Sequence, residues 1–175
     1  MLPLCCCQSA IIVVEKALNV LPLRLGQRSR DATHLIKVAC EVATGKRSQV
    51  VVFGNDYPTP DGTCIRDYIH IEDLASAHLS ALRHLSTNKS SLVLNCGYGH
   101  GSSVRQVLQA VKKASGIDLR IVDGPRRAGD VPEVVADSQK LRRILGWQPR
   151  YDNLDTIVAH AYAWELQMRA RDKKS

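Results

Sequence analysis

Apolar residues recur at helical spacing in several stretches of the chain, and caps and glycines mark where those stretches begin and end. Five helices are predicted, in chain order: residues 31–44 with Asp31 as cap, residues 72–85, one from Ser102 or Ser103 to Gly116, one ended by Gly146, and one that starts at Asn153 or Asp155. The pattern alone does not say how these helices pack.

Runs of β-branched residues lie between the helices and predict short strands. These are residues 50–53, the alternating stretch 65–71, residues 90–95 and residues 119–122, with residues 11–14 as a further candidate. Between the first two lies a segment dense in Gly, Asn, Asp and Pro, which predicts a shaped loop. At its far end Arg66 stands beside Asp67 and Tyr68, and spacing alone favours an ordinary surface ion pair there.

Composition narrows the class of protein. The chain has 175 residues, 45% hydrophobic and 23% charged, which is typical of one globular domain with a core. Its net charge is +7, but aromatic residues make up only 5% and no basic run alternates with them, so we do not expect nucleic-acid binding. Glu15 and Lys16 interrupt the apolar start of the chain, so we expect neither a membrane span nor a secretory signal.

The six cysteines do not have the spacing of a metal site. Cys5, Cys6 and Cys7 are adjacent, and Cys40, Cys64 and Cys96 stand apart without a C-x-x-C pair. We therefore expect free thiols in a reducing compartment, the cytoplasm, with neither a zinc site nor a disulfide framework.

The segment PRRAGD at residues 125–130 brings two cations and an acid together on a loop framed by Pro and Gly. Arg127 could bind a phosphate while Asp130 accepts hydrogen bonds from ribose hydroxyls. Gly97, Gly99 and Gly101 look like a dinucleotide loop, but their G-x-G-x-G spacing does not match that fingerprint. A tight strand-to-helix connection is the better interpretation of these glycines.

Several sequence motifs of the chain, taken together, resemble one protein family. They are FGNDYPTPDGT at 53–63, IRDYIHIEDLA at 65–75, LNCG at 94–97, PRRAGD at 125–130 and LGW at 145–147. This run is similar to the C-terminal half of the UDP-glucose 4-epimerase family, which are extended short-chain dehydrogenases/reductases. The resemblance implies an α/β fold with a small mixed sheet and helices, the substrate-binding portion without its Rossmann half. It divides the chain into an atypical segment 1–23, a nucleotide-sugar-binding domain 24–168 and a basic tail 169–175.

The resemblance also implies which residues meet a UDP-sugar. The family's contacts fall here on Asn19, His34, Leu35, Val51, Val52, Phe53, Arg66, Arg127 and Asp130. In the family the strand of residues 51–53 lies against uracil, and the two arginines contact the diphosphate. His34 stands where the family has asparagine, and Val134 stands where it often has a tyrosine.

The catalytic parts of that family are absent from the sequence. Epimerisation uses bound NAD and a Tyr-x-x-x-Lys pair, and the chain has neither that pair nor a G-x-x-G-x-x-G loop. We therefore expect a truncated UDP-glucose 4-epimerase that has no catalytic residues, binds no NAD alone, forms no family-type dimer and exposes an apolar patch. The alternatives are the corresponding half of an epimerase or decarboxylase for another UDP-sugar, a non-catalytic UDP-sugar-binding module, and, from net charge alone, a nucleic-acid binder.

Overall fold

The computed structural model describes residues 32–88 and 91–172. Helices and short strands alternate along this part of the chain. In chain order they are α1 (Leu35–Ala43), β1 (Val50–Phe53), β2 (Ile65–Arg66), α2 (Ile71–Asn88), β3 (Ser102–Ser103), α3 (Val104–Ser115), β4 (Ile121–Gly124), β5 (Glu133–Val134), α4 (Gln139–Leu145) and α5 (Leu154–Asp172).

The strands form two small sheets. β1 pairs in parallel with β4, in the register Val50 to Ile121 through Phe53 to Gly124. β2 lies between β3, which is antiparallel to it, and β5, which is parallel. The expected α/β fold with a small mixed sheet is therefore confirmed. Because β1 and β4 run in parallel, the loops that leave their carboxyl ends start side by side.

The larger core lies where α1, α3 and α5 pack together beside β1. Its buried members are apolar or small: Ala39, Cys40, Val50, Val52, Leu108, Ala110, Val111 and Val158. One buried charge also joins two of these helices, because Lys37 of α1 donates to Glu165 of α5, a side chain that is 1% exposed. Burial of the valine side chains of β1 against three helices fixes the position of that strand.

The ends of α3 agree with the sequence. The Ser103 hydroxyl accepts from the Gln106 N–H, and the Gln106 side chain accepts from the Ser103 N–H, which is a complete capping box. Gly116 ends the helix at a φ of 70°. The predicted start and end of this helix are confirmed.

The start of α1 differs from the expectation. The helix begins at Leu35 with His34 as its N-cap residue, and Asp31 lies outside the described residues. Residues 32–34 are not helical, and the carbonyl of Ala32 accepts from Arg47 Nη2 at 3.0 Å. That carbonyl is therefore bound to the loop after α1 instead of starting the helix.

Three strand predictions need correction. β4 lies two residues later than predicted, because Val50 N–H bonds to the carbonyl of Arg120 and sets the register. The alternating stretch 65–71 is a strand over Ile65–Arg66 alone, and α2 already begins at Ile71. Residues 91–95 form no strand, since no described strand pairs with them and Val93 is 84% exposed.

An apolar face of α2 is exposed, as expected. Ile71, Leu79, Leu82 and Leu85 share one side of this helix, and each is about half exposed or more. Exposed apolar groups of this size are unusual on a monomer. None of the described helices is long and apolar enough to cross a membrane.

The described cysteines are all free thiols. Cys40, Cys64 and Cys96 are unpaired, while the adjacent cysteines 5–7 lie outside the described residues. Burial raises the pKa of the Cys40 thiol to about 12. Within residues 32–88 and 91–172, no group of His, Cys, Asp or Glu is arranged to hold a metal ion.

A buried carboxylate, Asp73, fixes the loops around α2. Its oxygens accept from the Tyr98 hydroxyl at 2.7 Å and from the backbone N–H groups of Arg150 and Tyr151, each at 2.8 Å. Asp67 accepts in a similar way from the N–H groups that follow Gly97. These bonds join the chain after β2 to segments 25 to 78 residues away along the sequence. Local sequence patterns carry no signal over such separations.

A second polar cluster joins the start of α2 to α5. His70, which is 5% exposed, stacks on Tyr151 with ring centroids 4.3 Å apart. Its Nδ1 accepts from the Glu72 N–H at 3.1 Å, so the ring proton is on Nε2, which lies 3.0 Å from Nδ1 of His160. The neutral form of His70 satisfies both contacts, and a protonated ring would lose the acceptor for Glu72.

We predict that Asp73→Ala lowers the free energy of unfolding by about 3 kcal/mol, because a buried hydroxyl and two backbone N–H groups lose their acceptor. Urea denaturation measures the change. Asp118→Ala is the matched control, since that side chain is 85% exposed and its loss should leave stability nearly unchanged. Equal effects of the two substitutions would contradict the role given to Asp73.

We predict that His70 contributes to acid destabilisation. Burial first, and then His160, lower its pKa, while Glu72 and Asp73 act in the opposite direction. Since the folded pKa lies below the unfolded one, the neutral ring's stability is present above about pH 6.5 and is lost as pH falls through the folded value. The stability difference between about pH 7 and about pH 5 should therefore be smaller for His70→Gln than for the unaltered chain.

Urea denaturation at the two pH values measures this difference. The control is His78→Gln, which replaces an exposed histidine of α2. An unchanged pH dependence in His70→Gln would remove His70 from the account.

Candidate functional site

The carboxyl end of β1 meets the loop that follows β4. The register places Phe53 opposite Gly124, and Gly54 N–H bonds to the Gly124 carbonyl at 2.9 Å. The loop then returns over β1, so that the guanidinium carbon of Arg127 lies 3.6 Å from the centroid of the Phe53 ring. This contact keeps an exposed arginine flat against the end of the strand.

Arg66 approaches the same loop from β2. Its Nη1 donates to the carbonyl of Ile65 at 2.8 Å, and its Nη2 lies 3.9 Å from Oδ1 of Asp130. Both side chains are mostly covered, at 13% and 15% exposed. The separation from Asp130 exceeds a hydrogen bond, so Nη2 of Arg66 is not held by that carboxylate.

Asp130 connects the two arginines. Its N–H bonds to the carbonyl of Arg127 at 3.2 Å, in a turn that passes through Gly129 with a φ of 88°. We name Phe53, Arg66, Arg127 and Asp130 the diarginine site. It has two guanidinium groups for one carboxylate, and planar guanidinium groups are suited to bidentate contacts with phosphate or carboxylate oxygens.

β1 contributes backbone groups to the site as well as the Phe53 ring. Val52 is 1% exposed and packs into the core, whereas Val51 and Phe53 are half-buried on the opposite face of the strand. In the described region β4 is the one strand paired with β1, so the other edge of β1 carries backbone donors and acceptors that no strand pairs. Such an edge can hydrogen-bond a planar ligand.

The remaining predicted residues are placed by other elements. His34 is the exposed N-cap residue of α1, and its side chain makes no capping bond. Leu35 is half-buried and packs on the core that contains Val52. Asn19 lies outside the described residues. Val134 is the register partner of Arg66, so the position where the family often has a tyrosine is directly beside the diarginine site.

Sequence reasoning missed the surroundings of Arg126. Its Nε donates to Asp56 Oδ1 at 2.7 Å, its Nη2 donates to the Asp56 carbonyl at 2.6 Å, and its guanidinium carbon lies 4.3 Å from the centroid of the Tyr57 ring. The bond from Arg126 lowers the pKa of Asp56, and burial raises the pKa of Tyr57. The partners are 70 residues apart along the chain, so spacing gave no signal; the opposite charges in the two turn-rich segments were the one clue.

The glycines before α3 do not fit a dinucleotide. A Cβ on Gly97 would overlap the Asp67 carboxylate, and one on Gly101 would overlap the Ile65 side chain, so the protein itself fills these spaces. The first turn of α3 is occupied by its own capping box, and Asp61 accepts from the Ser103 hydroxyl. These residues offer no phosphate cradle, which supports the interpretation of a tight connection.

A concavity of about 470 Å³ lies elsewhere, beside α4. Its lining includes Arg142, Trp147 and Asp152. The buried Trp147 ring donates from Nε1 to Ser76 Oγ at 2.8 Å, and Arg142 donates to the Tyr98 carbonyl. Because these polar groups are engaged in holding the fold, the diarginine site is the better candidate for a ligand.

Comparison with known proteins identifies the family. The sequence profile of the GDP-mannose 4,6 dehydratase family matches residues 24–160. The chain is 51% identical to a UDP-glucose 4-epimerase of Azospirillum brasilense over 145 residues, which are 83% of this chain and 42% of that relative. The structure of the UDP-Glc/GlcNAc 4-epimerase of Campylobacter jejuni matches with a TM-score of 0.71 and 53% identity, over 81% of this chain and 43% of the other.

A further structure matches more closely in shape. The UDP-glucose 4-epimerase of Stenotrophomonas maltophila, with bound NAD and formylated UDP-arabinopyranose, has a TM-score of 0.80 at 37% identity, over 84% of this chain and 44% of the other. The chain thus spans less than half the length of each of these relatives, and the resemblance seen in the sequence motifs is confirmed. The chain belongs to the GDP-mannose 4,6 dehydratase family and is similar, within it, to the C-terminal half of UDP-glucose 4-epimerases.

Proposed function

We propose that this chain binds the UDP part of a nucleotide sugar at the diarginine site, as the substrate-binding portion of a UDP-glucose 4-epimerase. The observation that carries the proposal is the position of the Arg66 guanidinium 3.9 Å from the Asp130 carboxylate, on the same loop whose Arg127 guanidinium lies over the Phe53 ring. Both lie at the end of β1, which has one edge that no described strand pairs. The arginines neutralise a diphosphate and Asp130 accepts from ribose hydroxyls. The UDP-sugar bound to the Stenotrophomonas epimerase supports this ligand class.

Contacts to the uracil ring and contacts from flanking residues complete the proposed site. The backbone of residues 51–53 hydrogen-bonds uracil along the edge of β1 that no described strand pairs, while the Val52 side chain stays in the core. His34 donates from the exposed start of α1. Leu35 and Asn19 stay proposed contacts, of which Asn19 lies outside the described residues.

For this chain alone, we propose ligand binding without epimerisation. Epimerisation in the family needs NAD to take a hydride from the sugar, and the glycines present do not fit that cofactor. The sequence also has no Tyr-x-x-x-Lys pair to act as base. We therefore place the chain in galactose and nucleotide-sugar metabolism as an epimerase portion that lacks catalysis by itself. The free thiols of Cys40, Cys64 and Cys96 fit a reducing cytoplasm.

A second candidate keeps the nucleotide and changes the sugar. Valine at position 134 lies beside Arg66 and offers no hydroxyl to the sugar end. The solved relatives include epimerases whose names or ligands give UDP-N-acetylglucosamine and UDP-arabinopyranose. An epimerase or decarboxylase portion for another UDP-sugar is therefore the alternative, and competition between UDP-sugars for the same site distinguishes it.

We predict that the chain binds UDP, and that Arg127→Ala and Arg66→Ala each weaken binding about tenfold or more, the loss expected for a charge-assisted contact to phosphate. Isothermal titration calorimetry measures the affinity. Arg143→Ala, which removes an exposed arginine of α4, is the matched control and should bind UDP like the unaltered chain. Absence of UDP binding, or an equal loss in the control, would contradict the proposed site.

We predict no conversion of UDP-galactose to UDP-glucose by the chain with added NAD. The reason is that the sequence supplies neither a cofactor loop nor a base. A full-length relative assayed in parallel confirms that the assay detects epimerisation. Robust turnover by the 175-residue chain would overturn the claim that it binds without catalysis.

A further inference from the structure

Two adjacent arginines on one loop have different surroundings. The guanidinium of Arg127 has an aromatic ring beneath it and an exposed upper face, whereas that of Arg126 is held at three points. Asp56 accepts from it through both its carboxylate and its backbone carbonyl, and Tyr57 provides the ring below it. We name Asp56, Tyr57 and Arg126 the brace.

The backbone beneath the brace is shaped to fit it. Gly54 has a φ of 79°, and a Cβ there would lie 2.8 Å from Cγ of Arg126 and would overlap the Tyr57 ring. Only glycine allows this close approach of loop and side chain. Tyr57 is itself 4% exposed, so the ring on which Arg126 lies is fixed by the surrounding protein.

The brace contributes little to the stability of the folded protein. Asp56 and Arg126 are exposed side chains, and exposed ion pairs contribute little to the free energy of unfolding. The three contacts restrict the conformations of Arg126, which lies on the loop after β4. Because Arg127 follows directly, fixing Arg126 also fixes the direction from which Arg127 leaves the backbone.

We infer that the brace is a positioning device for the diarginine site: Asp56 and Tyr57 hold Arg126 so that Arg127 is presented to the diphosphate of the ligand. Arg126 acts indirectly, because its Nε and Nη2 donate to Asp56 and its guanidinium lies on the Tyr57 ring. This inference rests on the proposed function. It assigns Asp56, Tyr57 and Arg126 a role that their sequence positions did not reveal.

The test compares UDP with UMP by calorimetry on the 175-residue chain. Asp56→Asn and Arg126→Gln should each weaken UDP binding about three- to tenfold, less than the loss of a direct contact, with little change for UMP. Asp56→Glu, which keeps the carboxylate, should recover part of the affinity. Combining Asp56→Asn with Arg126→Gln should add little to Arg126→Gln alone, because that substitution already removes all three contacts of the brace.

Asp155→Asn is the matched control. It removes the carboxylate of another exposed ion pair, with Lys113, and should leave both affinities unchanged. Melting temperatures of all variants should agree, so that a change in UDP affinity cannot come from unfolding. Equal losses for UDP and UMP, or no loss in Asp56→Asn, would overturn the positioning role alone. No UDP binding by the unaltered chain would overturn the proposed function, and the brace inference with it.

Discussion

The parallel pairing of β1 with β4 is the constraint on which the candidate site depends. Val50 and Val52 bury their side chains among three helices and thereby hold β1 in place. The four register pairs then bring Phe53 next to Gly124, although these residues are far apart along the chain. The loop that carries Arg127 and Asp130 and the loop that carries Asp56 and Tyr57 both leave from this point. A slip in register would therefore separate Phe53 from Arg127 and remove the ring on which that arginine lies.

Sequence reasoning succeeded where the signal is local. Ser103 and Gly116 bound α3 as predicted, because caps act on the nearest turn, and the valine run of β1 is a strand. It failed where the structure depends on contacts between residues far apart along the chain. Residues 90–95 have strand-like composition, but strands need partners, and the described residues 91–95 have none. Likewise Asp73 gave no sign that it accepts bonds from Tyr98 and from the backbone near residue 150.

The site shows the same division between local and distant information. Arg66, Arg127 and Asp130 were predicted from motif resemblance, and the structure places Arg66 beside Asp130, on the loop that also carries Arg127. Their roles toward a ligand stay predictions. The contact of Arg126 with Asp56 joins segments 70 residues apart and could not be read from spacing.

The central claim is that UDP binds at the meeting point of β1 and the loop after β4. An amide NMR titration of the chain with UDP tests it most directly, since each backbone N–H reports its own surroundings. The account predicts shifts that saturate together for residues 51–53, Arg66, Arg127 and Asp130, with residues near Gly116 unaffected. No shifts, or shifts confined to the concavity beside α4, would contradict it.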